Sequence, residues 1–305
     1  MRAMLASSLF VLAVTITSGQ SPQSAQPAAS GQQPTFRAGT RIVPLPTMVT
    51  DGSGRLLPDL EQADFTVLDN GKPQEIVLFE NTLEPFTAVV MLDLSASMEL
   101  NRNLLLDATQ QFLIRMLPDD KGKVGAFNDK IRISGTFTNN RDHLLDALSD
   151  FKNFIGNPTR LFDAIDASIE ELEPLEGRRV VLIFTDGEDT ASKVKFGAVR
   201  DRAQRDDIMI YAIGLRSQIL GQSTSPDRDL RKLAEATGGG YFELKNTDEL
   251  GPTFTRVAQE LHSLYTIGFS PPTLDGKEHK VQVRTKETDH KVRTRNSYIA
   301  TIEDR

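Results

Sequence analysis

The stretch that decides the fold is "MLDLSASMEL", residues 91–100, where an aliphatic run ends on Asp93 and hydroxyls follow at Ser95 and Ser97. Such polar groups are a costly ending for a buried strand unless their oxygens have something to bind. Upstream, "FTAVVML" (86–92) reads as the strand itself. Similar short runs recur at 123–127 ("KVGAF"), 131–137 ("IRISGTF"), 179–185 ("RVVLIFT"), 208–214 ("IMIYAIG") and 240–244 ("GYFEL"). They alternate with helical periods, which predicts an α/β fold: a doubly wound, mostly parallel six-stranded sheet with helices on both faces. The 123–127 and 131–137 runs lie too close for a helical crossover, so they are expected to pair antiparallel.

Helical stripes fill the gaps. Leu105, Ala108, Phe112 and Met116 repeat at helical spacing, as do Leu144, Leu148, Phe151 and Ile155, and then Leu161, Ile165, Ile169 and Leu172. Later, Leu230, Leu233, Ala234 and Thr237 run into a "GGG" helix stop, and Leu250, Phe254, Val257, Leu261 and Leu264 form a last stripe. These stripes are read as core rather than as a cofactor surface.

On either side the pattern is antiparallel β. Residues 41–51 are extended with prolines at 44 and 46, which suits an edge strand, and "FTVLDNGKPQEIVLF" places two apolar runs around Asn70-Gly71, a strong hairpin signal. After Tyr265, "YTIGFS", "HKVQVRT" and "HKVRTRNSYIAT" alternate Val with charged residues. Neither flank is expected to be stable alone, so the two are expected to form one small antiparallel β-sandwich into which the α/β domain is inserted, the alternative being two separate small modules, one on each side. The basic residues Lys280, Arg284, Lys286, Lys291, Arg293 and Arg295 read as a solvated sheet face.

The expected organisation is a signal peptide at 1–19, a disordered linker at 20–35, an N-terminal β part at 36–83, the α/β domain at 84–262 and a C-terminal β part at 263–305. The signal reading rests on an early Arg2, an apolar run from Ala3 to Val14 and small polar residues after it. No later run is apolar for 18 residues, so no stable membrane insertion is expected after cleavage, and the product is read as secreted or periplasmic. The formal net charge of -7 repels phosphate backbones and argues against a nucleic-acid partner. With no cysteine, neither disulfides nor thiolate metal ligands are available.

Two further loops give the Asp93 stretch its force. "LIFTDGEDT" ends a parallel strand on Asp186, and "NPTRLFDAI" sets Thr159 just before a helix. In an open α/β sheet all three loops emerge at the carboxyl edge, where ligands bind. Asp93, Ser95, Ser97, Thr159 and Asp186 together make an oxygen-only donor set with few formal charges, which suits a hard divalent cation: Mg²⁺ first, with Mn²⁺ or Ca²⁺ also accommodated. Zinc is disfavoured because cysteine is absent and His143, His262, His279 and His290 are scattered. Taken singly, the serines and Thr159 read as helix caps and Asp186-Gly187 as a turn.

With D-x-S-x-S at 93–97, threonine at 159 in "TRLFDA" and aspartate at 186 in "TDG", the chain resembles the von Willebrand factor A (VWA) family and its metal-ion-dependent adhesion site (MIDAS) over roughly 84–262. The flanks look like a group of secreted bacterial proteins of this type. One departure is Pro158, where many relatives carry glycine. The resemblance implies a Rossmann-like fold in which Ser95, Ser97 and, in one conformation, Thr159 touch the metal, while Asp93 and Asp186 hold it through waters. It also implies a non-enzymatic adhesion or assembly module whose cation captures a Glu or Asp carboxylate of a protein partner. The competing readings are a metal-dependent hydrolase or phosphatase with Asp93 as nucleophile, and a scaffold with a non-functional metal site. The first lacks a second aspartate at position 95 and a suitably placed histidine.

Overall fold

The computed structural model describes residues 41–216, 218–219, 222–223 and 227–301; the expected signal peptide and linker lie outside them. The N-terminal flank supplies β1 (Val43–Thr50), β2 (Phe65–Asp69), β3 (Lys72–Gln74) and β4 (Ile76–Glu80). Asn70 and Gly71 take φ of 47° and 80°, the left-handed pair that a two-residue hairpin turn requires. The hairpin's second arm then splits between sheets, because β3 pairs with β2 while β4, after Glu75, pairs elsewhere.

The α/β part runs β5 (Phe86–Asp93), α1 (Arg102–Leu113), β6 (Lys121–Phe127), β7 (Ile131–Ile133), α2 (Arg141–Ser149), α3 (Leu161–Leu172), β8 (Arg178–Thr185), α4 (Phe196–Arg205) and β9 (Ile208–Leu215). It continues through a two-residue pair, β10 (Gln218–Ile219) and β11 (Gln222–Ser223), to α5 (Arg228–Thr237), β12 (Tyr241–Leu244) and α6 (Leu250–His262). The sheet order is β12-β9-β8-β5-β6-β7, parallel throughout except β7. Strand order reverses at β5, so the loops after β5 and β8 diverge at the sheet's switch point. Helices α1, α2 and α6 bury Phe112, Leu144, Phe254 and Leu261 on one face, and α3, α4 and α5 bury Ile165, Val199 and Leu233 on the other. No helix among the described residues is long and apolar enough to cross a membrane.

Two expectations shift in detail. The run at 131–137 is strand only through Ile133, after which Thr138 bridges back to Gly122. Of the second expected stripe, Leu144 and Leu148 lie on α2, but Phe151 lies beyond its end and Ile155 is exposed. Helix α4 was not foreseen, because its buried stripe is only Val199, Ala203 and Gln204.

The C-terminal flank adds β13 (Tyr265–Phe269), β14 (Glu278–Thr285), β15 (Lys291–Arg293) and β16 (Ser297–Ile299). Both flanks contribute to each of two antiparallel sheets, β15-β1-β13-β4 and β16-β14-β2-β3. Leu45, Val49, Phe65, Val67, Tyr265, Ile267, Val281 and Val283 fill the space between them as one sandwich core. Strand β1 is an edge only over its first half: Val43–Thr47 pairs with β13 alone, and Met48–Thr50 pairs with β15. Pro44 and Pro46 therefore sit where the missing N–H has no second strand to meet.

Two of the six basic residues overturn the solvated-face reading. Arg293 donates to fully buried Glu260 at 2.5 Å and to the Tyr211 hydroxyl at 3.0 Å. Arg295 is buried, donating to the Gln204 carbonyl at 2.9 Å and pairing with Asp207 at 2.6 Å. Lys280, Arg284, Lys286 and Lys291 are exposed. Their alternation along the strands is that of a solvated face, but the last two arginines bind the sandwich to the α/β layers.

Candidate metal centre

Strand β5 is buried along its length, and it delivers Asp93 fully buried to the carboxyl edge. The chain turns there because the Ser95 N–H donates to Asp93 Oδ1 at 2.9 Å, an Asx turn that points the following serines back over the edge. Ser95 Oγ and Ser97 Oγ are 3.0 Å apart, and Ser97 Oγ donates to Asp186 Oδ1 at 2.7 Å. Asp93, Ser95, Ser97 and Asp186 thus form one row of oxygens across two loops. Ser95 caps the 3-10 turn Ala96–Asn101 only by position, since its side chain makes no capping bond.

Thr159 enters through its backbone. Its N–H donates to Thr190 Oγ1 at 3.0 Å, and its carbonyl accepts the Thr190 and Ala191 N–H groups at 3.0 and 3.1 Å. The Thr159 loop is also tied to the first loop by a parallel bridge between Ser95 and Gly156. A Cβ on Gly156 would stand 2.0 Å from Asp129 Oδ1 and 2.7 Å from Asn128 Cγ, so only glycine allows this approach. The Asn157–Pro158 peptide is cis. Thr159 does not cap α3. Arg160 holds that position without a capping bond, and the Asp189 carboxylate accepts the Leu161 N–H at 2.9 Å instead.

Several partners escaped the motif. Thr185 Oγ1 donates to Asp93 Oδ2 at 2.5 Å and accepts the Gly187 N–H at 3.1 Å. Asp163, in the first turn of α3, accepts the Lys193 and Val194 N–H groups at 2.9 and 2.8 Å and pairs with Arg160 at 2.7 Å. Asp189 is half-buried and structural, whereas Glu188 is exposed. No local pattern marks these roles, because each partner is 28 or more residues away except Arg160 and Gly187.

Burial pushes the Asp93 carboxyl up to about 6, against the hydrogen bonds from Thr185 and Ser95, and the like charge of Asp186 pushes the same way. Asp163 is lowered: burial opposes this, but the Val194 and Lys193 amides and the Arg160 guanidinium outweigh it. Among the described residues no cluster of three His, Cys, Asp or Glu suited to a metal occurs, so any cation here relies on hydroxyls. The donor set fits one. Adjacent ligands on a small octahedral cation with bonds of about 2.1 Å lie about 3 Å apart, and the two serine oxygens have that spacing. Two buried carboxylates of like charge at one edge also gain by facing a cation.

A family profile for the von Willebrand factor type A domain matches residues 88–256. A von Willebrand factor type A protein from Catenulispora acidiphila is similar in fold, with TM-score 0.52 at 10% identity over 88% of this chain and 76% of that one. Proximal thread matrix protein 1 from the mussel byssus, solved with a zinc-occupied MIDAS motif, is similar at TM-score 0.51 and 16% identity over 64% of this chain and 50% of that one. No curated protein matches. The profile spans more than half of the chain, and it covers the doubly wound sheet and all three loops of its carboxyl edge. The chain belongs to the von Willebrand factor type A domain family, whose members are in general metal-dependent protein-interaction modules.

Proposed function

We propose that this chain is an exported, non-enzymatic module that binds a protein partner through a divalent cation held by Asp93, Ser95, Ser97, Thr159 and Asp186. The observation that carries this reading is the continuous row of oxygens from Asp93 through Ser95 and Ser97 to Asp186 at the sheet's switch point. When bound, the cation supplies a positive centre with an outward position for an oxygen ligand. The residues do the rest. Asp93 and Asp186 supply the negative charge, Thr185 and the Ser95 N–H fix the Asp93 carboxylate, and the neutral hydroxyls leave part of the cation's charge unmatched. A Glu or Asp carboxylate on a partner meets that charge.

Mg²⁺ is the first candidate, with Mn²⁺ or Ca²⁺ next, and the zinc found in the mussel protein's motif puts Zn²⁺ among the ions to compare. Residues 84–262 are proposed as the binding unit and the flanking strands as its support. Calorimetric titration of each ion into the wild-type protein and a Ser95→Ala, Ser97→Ala double variant tests the site. Wild type is expected to bind at least one ion and the double variant none at the same concentrations. Equal binding by both overturns the assignment. Partner capture from the native envelope fraction, expected with cation and lost in EDTA and in Asp93→Ala, tests the function; capture unchanged in both arms defeats it. Export is checked by the N-terminus of the protein recovered outside the cytoplasm, expected near Gly19.

A further inference from the structure

Strand β1 and the amino edge of the α/β sheet enclose a cavity of about 90 Å³, at the far end of β8 from the candidate cation site. Strand β8 is eight residues long, so about 25 Å of strand lies between the two. Pro44, Pro46 and the buried Met209 give the cavity an apolar wall, and the exposed Gly177 stands at its mouth. Its charges do not balance. Arg178, Arg179 and Arg295 line it against Glu84 and Asp207, three positive groups to two negative. Arg178 pairs with Glu84 at 2.9 Å and Arg295 with Asp207 at 2.6 Å. Arg179 has no carboxylate partner among the described residues. Its Nη groups donate to the main-chain carbonyls of Glu173 and Asp206, whose carboxylates pair with Arg202 and Arg205 instead.

Carbonyl oxygens offset no formal charge, and a half-buried guanidinium beside an apolar wall gains from a counter-ion. We propose that the cavity binds a small aliphatic carboxylate, its charge set against the Arg179 guanidinium and its hydrocarbon against Pro44, Pro46 and Met209. The volume is that of about three waters, which limits the ligand to a few carbons. Two sources fit: a free short-chain acid, or the side chain of a partner's glutamate. The site is independent of the cation reading above.

The test uses the full chain in EDTA, so that no cation can hold a carboxylate. Isotopically labelled methionine methyl groups are read by NMR, and the Met209 signal, assigned by its loss in Met209→Leu, reports on the cavity. Butyrate is expected to shift it saturably, and acetate to need about tenfold more for want of two methylenes. n-Butylammonium is expected to give no saturable shift. Arg179→Met is expected to raise the butyrate concentration at half-saturation about tenfold, the loss of one contact between charged groups, and Arg179→Lys to recover part of it. Should Arg179→Met not fold, butyramide on the wild type, similar in shape but neutral, carries the comparison with the same expected loss. N-acetylglutamate N-methylamide separates the two sources: binding tighter than butyrate assigns the site to a partner's side chain, and weaker binding assigns it to a free acid. A Met209 signal that neither carboxylate moves, or that butyrate and butyramide move alike, overturns the proposal. So does a butyrate response that Arg179→Met leaves unchanged.

Discussion

At the scale of single residues, Asp93 carries opposing demands. Its carboxyl is raised in the fold, from an ordinary value of 3.8 to about 6. Without a cation, its contribution to stability is therefore fully present below about 3.8 and is lost as pH rises through about 6. About two pKa units correspond to about 3 kcal/mol. In EDTA, Asp93→Asn is expected to melt higher than wild type above pH 6, with the gap closing toward pH 4. In saturating cation the order reverses. Thermal denaturation across that pH range, as a wild-type minus variant difference, checks it; parallel curves at all pH values would refute it. Gly156 is the second sensitive point. Gly156→Ala forces the Asn128 and Asp129 side chains and the Ser95 bridge apart, at an expected cost of about 1–3 kcal/mol in urea unfolding and with weaker cation binding. The row Asp93, Ser95, Ser97 and Asp186 was legible in the sequence because strand ends and two-residue spacing are local. Thr185 was not, since its value depends on which atom lies opposite it across the strand ends.

At the scale of elements, the loop after β8 is held against α3 by side chains from both. Asp163 takes two of its amides, Asp189 takes the first amide of α3, and Ser192 Oγ accepts the Asp163 N–H at 3.0 Å. The lowered Asp163 carboxyl contributes stability that is present above its ordinary value and is lost as pH falls through the folded value. Asp163→Asn keeps the shape but loses the charge facing Arg160 and the two amides. It is expected to destabilise the protein by about 1–3 kcal/mol near neutral pH, to do so less in acid, and to weaken cation binding because Asp186 rides on the same loop. Denaturant unfolding at pH 7 and pH 3.5, with calorimetry at pH 7, measures all three effects. The strands and the strongly periodic helices could be read from pattern alone. Helix α4 could not, because its short stripe of Val199 and Ala203 is too weak to stand out.

At the scale of the molecule, the sandwich and the α/β layers are joined by buried guanidinium groups. Arg178 donates to the Leu261 carbonyl at 2.6 Å, to the Leu264 carbonyl at 3.2 Å and to Glu84 at 2.9 Å, which gathers the chain's entry to and exit from the α/β part. Glu260 is fully buried beneath Arg293, while its other neighbour, Arg256, is half exposed and contributes little. Glu260→Ala is expected to cost about 3–5 kcal/mol, because it leaves Arg293 without its counter-charge, and Glu260→Leu with Arg293→Met to recover most of it. A double-mutant cycle in urea measures the coupling; additive effects would show that the pair is independent. The pairing of the two flanks followed from the shortness of each. The arginine ties did not, since Arg293 and Arg295 differ in no local way from Lys280 or Arg284, and their partners lie in other elements.

Arg41 Nη1 donates to the Thr301 carbonyl at 2.9 Å and to its hydroxyl at 2.7 Å, so the first and last described residues meet on the sandwich. Tension pulling positions 41 and 301 apart is borne by that clasp and the strands beneath it, and never crosses the three loops. A load on a cation held as proposed would take another route, down β5 and out through the Glu84–Arg178 contact. Anchoring the chain by one end or by both is mechanically different for a captured partner.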